Sequence, residues 1–402
     1  MPGPLNGIKI LDFTWALAGP FGVMQLCDLG AEVWKIEPVH VSEEQGRGSG
    51  PVVDGINTYG FSINRGKDSI LIDLKHPDAK EVVFSLAEKA DVLTQNFSPG
   101  TMARLGLDYE AVSARNPRLI YASLSGFGQY GPYAERGAVD VIVQGLSGVM
   151  SITGYPDGPP ARAGYSIGDM AGGLYLAQGI LAALIERGTS GKGQHLDVAM
   201  LDAQVNLLEN AVVRYFATGE VPQRIGSRHP LNMPFQAFPT ADGHIVLAGV
   251  KDWPLFCGLV ERDDLVGDER FSTIAGRLKH HAILEPMLNE AFVRRTTAAW
   301  LDVLSPHFLI APLNTIDQMA ADPQVNAREM FVDLPTWKGG TMRVVNSPVK
   351  LSRTPVQVAR GADSPGGHTR DILKKVLGYD DSRVDALIES GAVSDGHLDS
   401  TK

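Results

Sequence analysis

Strand and helix signals alternate through the first half of the chain, and that alternation limits the fold more than any other feature. Short apolar runs at 8–13, 32–36, 69–74, 91–95 and 119–124 read as strands. Helical patterns at 22–29, 78–89 and 109–115 lie between several of them; the first stops at Gly30 and the second begins behind Pro77. Strands joined through helices run parallel, with helices on both faces of the sheet. The expected class is therefore α/β, with a Rossmann-like large domain. Helices at 139–150, 169–188 and 201–217, with a strand at 194–198, continue the pattern.

After Gly219 the texture changes. The stretch 224–239 is loop-like, and Ala241-Asp242-Gly243 is a hairpin signal between apolar runs at 235–238 and 245–247. The chain is read as a large domain over 1–222, a smaller α+β domain over 223–328, and a segment over 329–402 that returns to the large domain. That last segment holds a second hairpin turning at Gly339-Gly340 and helices at 369–376 and 382–390.

Charge excludes one class of partner. With 36 Lys and Arg against 46 Asp and Glu the net charge is -10, so no nucleic acid is expected. The two cysteines, Cys27 and Cys257, are too far apart in sequence for a ligand motif and suit reduced thiols in the cytoplasm. No basic stretch followed by an apolar run opens the chain, and the apolar run at 171–185 is short for a bilayer, so no membrane association is expected. The ten histidines contain no H-x-x-x-H pair, and no metal is expected. There is no G-x-S-x-G elbow.

Three places carry candidate chemistry. Gly126-Phe127-Gly128-Gln129-Tyr130-Gly131 matches a dinucleotide loop, but Pro132 follows and no acidic ribose partner stands about 20 residues on; a glycine-rich ligand-facing loop of another kind fits better. Asp169, in Ile167-Gly168-Asp169-Met170-Ala171-Gly172-Gly173, stands at the mouth of the most apolar helix. There a carboxylate feels the positive helix end, and it is either an ordinary N-cap or a reactive group. Arg104 follows a strand end and turn at Asn96-Phe97-Ser98-Pro99-Gly100. It is either a surface arginine or a phosphate ligand, since ligands gather outside the carboxyl ends of parallel strands.

At these residues the chain resembles the family III coenzyme A transferases, which include the formyl-CoA and carnitine enzymes. The likeness runs from Leu5-Asn6-Gly7-Ile8-Lys9-Ile10-Leu11-Asp12 and Ala18-Gly19-Pro20 through Asn64-Arg65-Gly66-Lys67, Asn96-Phe97, Arg104-Leu105-Gly106 and Gly168-Asp169 to Pro312-Leu313-Asn314-Thr315 and Asp322-Pro323-Gln324-Val325. The resemblance implies that Asp169 is a covalent nucleophile. It implies coenzyme contacts at Leu17, Ala18, Ile72, Lys75, Asn96, Phe97, Arg104, Arg136 and Asp140. Where many relatives carry a lysine this chain has Gly137, with Arg136 beside it, and the adenine-side arginine of the formyl enzyme is Pro38 here. The family also implies an interlocked, ring-like homodimer, or a heteromer with a paralogue, and no cofactor beyond acyl-CoA and carboxylic acid substrates.

The same resemblance allows two other readings. A racemase-like epimerase would need a histidine where this chain has Val139, in Gly137-Ala138-Val139-Asp140. A non-catalytic acyl-CoA-binding subunit of a heteromer would not need Asp169. For the acid substrates, Trp15 suggests an apolar wall, and Arg47, Arg65, Arg162, Arg224 and Arg228 are candidates for a second carboxylate. They favour a dicarboxylate acceptor, with succinyl-CoA as donor.

Overall fold

A computed structural model describes residues 2–40 and 50–396. Its centre is a seven-stranded sheet. In chain order the strands are β1 (Lys9–Asp12), β2 (Glu32–Glu37), β3 (Asp68–Ile72), β4 (Val92–Gln95), β5 (Ile120–Ser125), β6 (His195–Ala199) and β7 (Val393–Ser394), and they lie in the order β7-β3-β2-β1-β4-β5-β6. All pairs are parallel except β7 with β3. The sequence gives no warning of β7: two residues carry no period, and only the docking of the final helices brings them to the edge.

Alternation along the strands divides the core in two. Leu11, Trp34, Ile70, Leu93 and Tyr121 face one side, where Val83 and Leu86 of helix Ala79–Lys89 cover them, joined by Ile372, Leu373 and Val384 from the last two helices. Ile10, Val33, Val92 and Ile120 face the other side, covered by Val23 and Leu26 of α1 (Ala18–Asp28) and Leu176 and Ile180 of α2 (Ile167–Ser190). By length and composition α2 could cross a bilayer. Its Leu176 and Ile180 are nonetheless fully buried on the sheet, while Leu174 and Ile185 are exposed.

Several boundaries differ from the sequence reading for local reasons. Helix α1 begins at Ala18, four residues before the expected start. The helix expected over 139–150 breaks at Gly148, whose φ of 92° ends Asp140–Ser147 before Val149–Ile152 begins. The helix expected over 201–217 is two helices, Met200–Leu207 and Glu209–Thr218. A short helix, Thr58–Ile63, was not foreseen; the Asn57 side chain caps it by accepting from the Gly60 amide.

The chain divides into two compact units. The described residues of Met1–Val149, Ala163–Val213 and Ala327–Lys402 form the first, and Met150–Arg162 with Arg214–Asn326 form the second. The second holds an antiparallel sheet in which His244–Ala248 lies between Phe235–Pro239 and Ile310–Pro312. Its core is aromatic, with Phe238, Trp253, Phe256, Phe292 and Trp300 buried together. The expected hairpin turns at Thr240, whose amide donates to the Gly243 carbonyl.

Candidate active site

From β1 the sheet grows through β2 on one side and β4 on the other, so the carboxyl ends of β1 and β4 form the switch point where open α/β sheets bind ligands. Asp12, the last residue of β1, is fully buried there. Its Oδ1 accepts from the Thr14 amide (2.9 Å), the Thr14 hydroxyl (2.6 Å) and the Thr94 hydroxyl (3.0 Å). Its Oδ2 lies 3.1 Å from the Lys67 ammonium and 3.5 Å from that of Lys35. Burial alone would raise the Asp12 pKa; the two ammonium groups and Thr14 outweigh it and hold the carboxyl well below the usual range. Burial pulls Lys67 down to about 8 against the attraction of Asp12. Lys35 donates to the Thr14 carbonyl, and Lys67 to the Pro20 carbonyl. Two buried cations thus tie the β1 end to the start of α1.

Helices α1 and α2 pack with their backbones touching. A Cβ on Gly22 would lie 2.5 Å from the Gly173 carbonyl oxygen, and one on Gly173 would lie 2.5 Å from that of Ala18. Further along, Gln25 and Leu29 line one groove with Ala177, Gln178 and Leu181, so the helices run in the same direction. Their amino ends therefore converge. One end is Leu17-Ala18, with no side chain capping it; the other is Asp169. Two positive helix ends at one point favour an anion there.

Asp169 is the third residue of α2 rather than its cap. The capping role falls to Asp140: its Oδ1 accepts from the Gly168 amide at 2.8 Å, and its Oδ2 from Gln144 Nε2 at 2.6 Å. Gly168 admits no side chain, because a Cβ would stand 2.2 Å from Gln204 Nε2 and 3.0 Å from Asp140 Oδ1. Asp169 is left half-buried with its side chain uncommitted to capping. Burial pushes its carboxyl up to about 6, and the negative charge of Asp140 adds to the push. Tyr59, on the short helix Thr58–Ile63, shares this environment. Burial raises its hydroxyl to about 12, with the Asp169 charge contributing. Sequence reading missed Tyr59. The available signal was a capping Asn57 just ahead of an aromatic residue, but nothing in the pattern ties that helix to residue 169.

The other expected residues divide into groups. Leu17 and Ala18 are buried at the mouth of α1, while Trp15 beside them is 62% exposed. Asn96 joins them: its Oδ1 accepts from the Trp15 amide and its Nδ2 donates to the Trp15 carbonyl, both at 2.8 Å. Phe97 packs against the core, its amide donating to Gln95 Oε1. Ile72 is buried at the end of β3, and Lys75 is exposed just past it. Arg104 is exposed at the end of helix Thr101–Arg104, its guanidinium 2.8 Å from the Thr101 hydroxyl. Strands β3 and β4 are three spacings apart, on the order of 14 Å, and Lys75 and Arg104 each follow the carboxyl end of one of them. Arg136 is exposed and stacks over the Tyr133 ring at 3.9 Å.

Arg65 does not fit the pocket role expected of it. It is 3% exposed and forks onto Asp28 (3.0 and 2.6 Å), and its third nitrogen donates to the Val345 carbonyl at 3.0 Å. It is a strut inside the first unit. Arg47 lies outside the described residues. Arg162, Arg224 and Arg228 belong to the second unit, where Arg224 donates to the Gly158 carbonyl and Arg228 to that of Ile225. The loop from Gly126 to Gly131 is followed by a helix only at Asp140. It therefore lacks the helix start that a dinucleotide loop uses; its Gln129 amide donates to Asp197 instead.

A carboxyl raised by burial and the amino ends of two helices thus stand together on a parallel α/β scaffold. The chain belongs to CoA-transferase family III, whose model matches residues 5–369, and it is a CoA-transferase. It is 38% identical to a succinate–glutarate CoA-transferase of Agrobacterium fabrum over 93% of this chain and 96% of that one. It is 40% identical to an acetyl-CoA:oxalate CoA-transferase of Acetobacter aceti, over 87% and 90%. A crystal structure of a CAIB/BAIF family protein from Brucella suis superimposes with a TM-score of 0.84 at 34% identity, covering 94% of this chain and all of the other.

Proposed function

We propose that the protein moves coenzyme A from succinyl-CoA to a dicarboxylic acid through covalent intermediates on Asp169. The observation that carries this reading is the state of Asp169 itself. Its carboxyl is pushed up to about 6 by burial and by Asp140, so it is still mostly the nucleophilic anion at neutral pH. The reduced solvation that raises its pKa also strengthens it as a nucleophile.

The Asp169 carboxylate attacks the donor thioester carbonyl, the coenzyme thiolate leaves, and an aspartyl–succinyl anhydride forms. The thiolate then attacks the aspartyl carbonyl, releasing succinate and leaving an aspartyl thioester. The acceptor carboxylate attacks that thioester and expels the thiolate, which finally attacks the acceptor acyl carbon and frees Asp169. Each step passes through an oxyanion. At α2 the Gly168 amide is already used by Asp140, and that of Ile167 by the Tyr165 carbonyl. The uncapped start of α1 and the Tyr59 hydroxyl, which keeps its proton until about pH 12, remain as donors.

The dicarboxylate reading is supported by the names of the two relatives, which speak of succinate, glutarate and oxalate. Phe97, Lys75 and Arg104 would meet the coenzyme along the sheet edge. Proton exchange at carbon, as in an epimerase, gains no support at Val139, an exposed apolar side chain ahead of Asp140. The assembly read here is a homodimer, acting in the cytoplasm. The test is incubation with succinyl-CoA and glutarate, followed by hydroxylamine trapping and peptide mass spectrometry. Modification at Asp169, and its loss together with transfer in Asp169→Ala, is the expected result. Exchange that continues in Asp169→Ala sinks the proposal.

A further inference from the structure

We infer that Asn96 is a positioning residue: it shapes the Trp15–Leu17 turn at the mouth of α1 and does not bind the coenzyme through its side chain. The inference rests on the reading of Asp169 given above. The turn itself is strained. Ala16 has φ 61°, a left-handed conformation that strains a residue with a Cβ. Such a conformation persists only where neighbours impose it.

Three sets of contacts impose it. Asp12 grips Thr14 through its amide and hydroxyl, and Lys35 takes the Thr14 carbonyl. Asn96 then takes both backbone groups of Trp15, accepting from the amide and donating to the carbonyl at 2.8 Å each. This paired geometry mimics a strand partner and uses the amide as a bidentate group. Finally, α1 sits down on the clamp. A Cβ on Gly19 would lie 2.5 Å from Thr14 Cβ and 3.2 Å from Asn96 Cγ, so glycine there lets the helix start rest directly against the Asn96 amide. The consequence reaches the reacting group. The turn decides where the α1 amino end stands, and α1 touches α2 at Gly173, one helical turn from Asp169. It also holds the Trp15 indole out at 62% exposure.

A clamp and a ligand contact fail differently. A coenzyme contact, once removed, weakens coenzyme binding. A misplaced turn disturbs geometry at the reacting carbonyl, where a displacement of about 1 Å costs on the order of a hundredfold in rate. The experiment compares Asn96→Ala, Asn96→Asp and Gly19→Ala with the unchanged protein. Asn96→Asp keeps the acceptor for the Trp15 amide but turns an oxygen toward the Trp15 carbonyl. Gly19→Ala presses on the clamp from the other side, at Thr14 first, and removes none of its hydrogen-bonding groups.

The expected result is a fall in kcat of tenfold or more in all three, with the dissociation constant of free coenzyme A, measured by calorimetry, within threefold of the original. Acrylamide quenching of tryptophan emission should change as well, and the change should vanish in a Trp15→Phe background. A tenfold loss of coenzyme affinity with kcat preserved overturns the inference, as does kcat unchanged in both Asn96 variants. Mass spectrometry separates this from the wider reading: absence of an aspartyl adduct in the unchanged protein refutes the nucleophile, whereas the quenching and calorimetry still report on the turn.

Discussion

At the scale of the residue, Asp169 sets the pH behaviour. Its folded pKa of about 6 lies above the 3.8 of a free side chain, so the folded protein holds this proton more tightly than the unfolded one. The sign follows by linkage. Ionising Asp169 costs stability, the cost grows as pH rises from about 4 to about 6, and it is fully present at neutral pH. Under the proposed mechanism activity runs the other way, because there the anion attacks. The expected kcat/KM profile has an acid limb with an apparent pKa near 6. Asp140→Asn removes the second of the two causes, so the limb should move to lower pH; a limb that stays or rises in that variant would show that Asp140 does not act on Asp169 by charge. The carboxylate was legible in the sequence as an acid at an apolar helix mouth. Its freedom was not, because the residue that relieves it of capping, Asp140, stands 28 positions away in sequence from the amide it binds. Arg65 shows the converse. It stands in a stretch read as loop, and only the packed structure puts Asp28 beneath it.

At the scale of the element, the crossing of α1 and α2 decides where that acid stands. Gly22 and Gly173 let two backbones approach as side chains would not. Gly22→Ala and Gly173→Ala each put a Cβ 2.5 Å from a carbonyl oxygen of the other helix, and each should destabilise the protein by about 1–3 kcal/mol. Either substitution alone pushes the helices apart, so the double variant should cost clearly less than the sum. Urea unfolding of the four proteins measures this, and strict additivity would mean that the glycines do not share one contact. Gly22 and Gly173 stand far apart in sequence, so no local pattern pairs them. The strands fared better: β1, β2, β4 and β5 were legible within a residue or two, since each is an apolar run in a buried parallel sheet. Helix breaks at Gly148 and Leu208 were hidden because apolar spacing continues through both.

At the scale of the whole molecule, the exposed side of α2 asks for a partner. Leu174 and Ile185 are 53% and 77% exposed, and with Leu29, Leu181 and Val349 they line a groove of about 450 Å³. Exposed apolar surface of that kind is what an interface covers, and the homodimer proposed above would cover it. Light scattering should then give twice the 43.2 kDa chain mass, and Ile185→Glu should halve it by burying a charge without a partner. A single-chain mass for the unchanged protein contradicts the dimer. The consequence for chemistry is separable. Ile185 is 16 residues along α2 from Asp169, a distance on the order of 24 Å, so the substitution does not touch the reacting groups. Yet the anhydride and the aspartyl thioester proposed above would both be open to water, and a partner covering α2 would limit its entry. The Ile185→Glu protein should therefore still form the aspartyl adduct but release free coenzyme A without an acceptor, so that hydrolysis rises relative to transfer. If the monomeric variant transfers as faithfully as the dimer, the shield against water is built within one chain and the interface serves assembly alone.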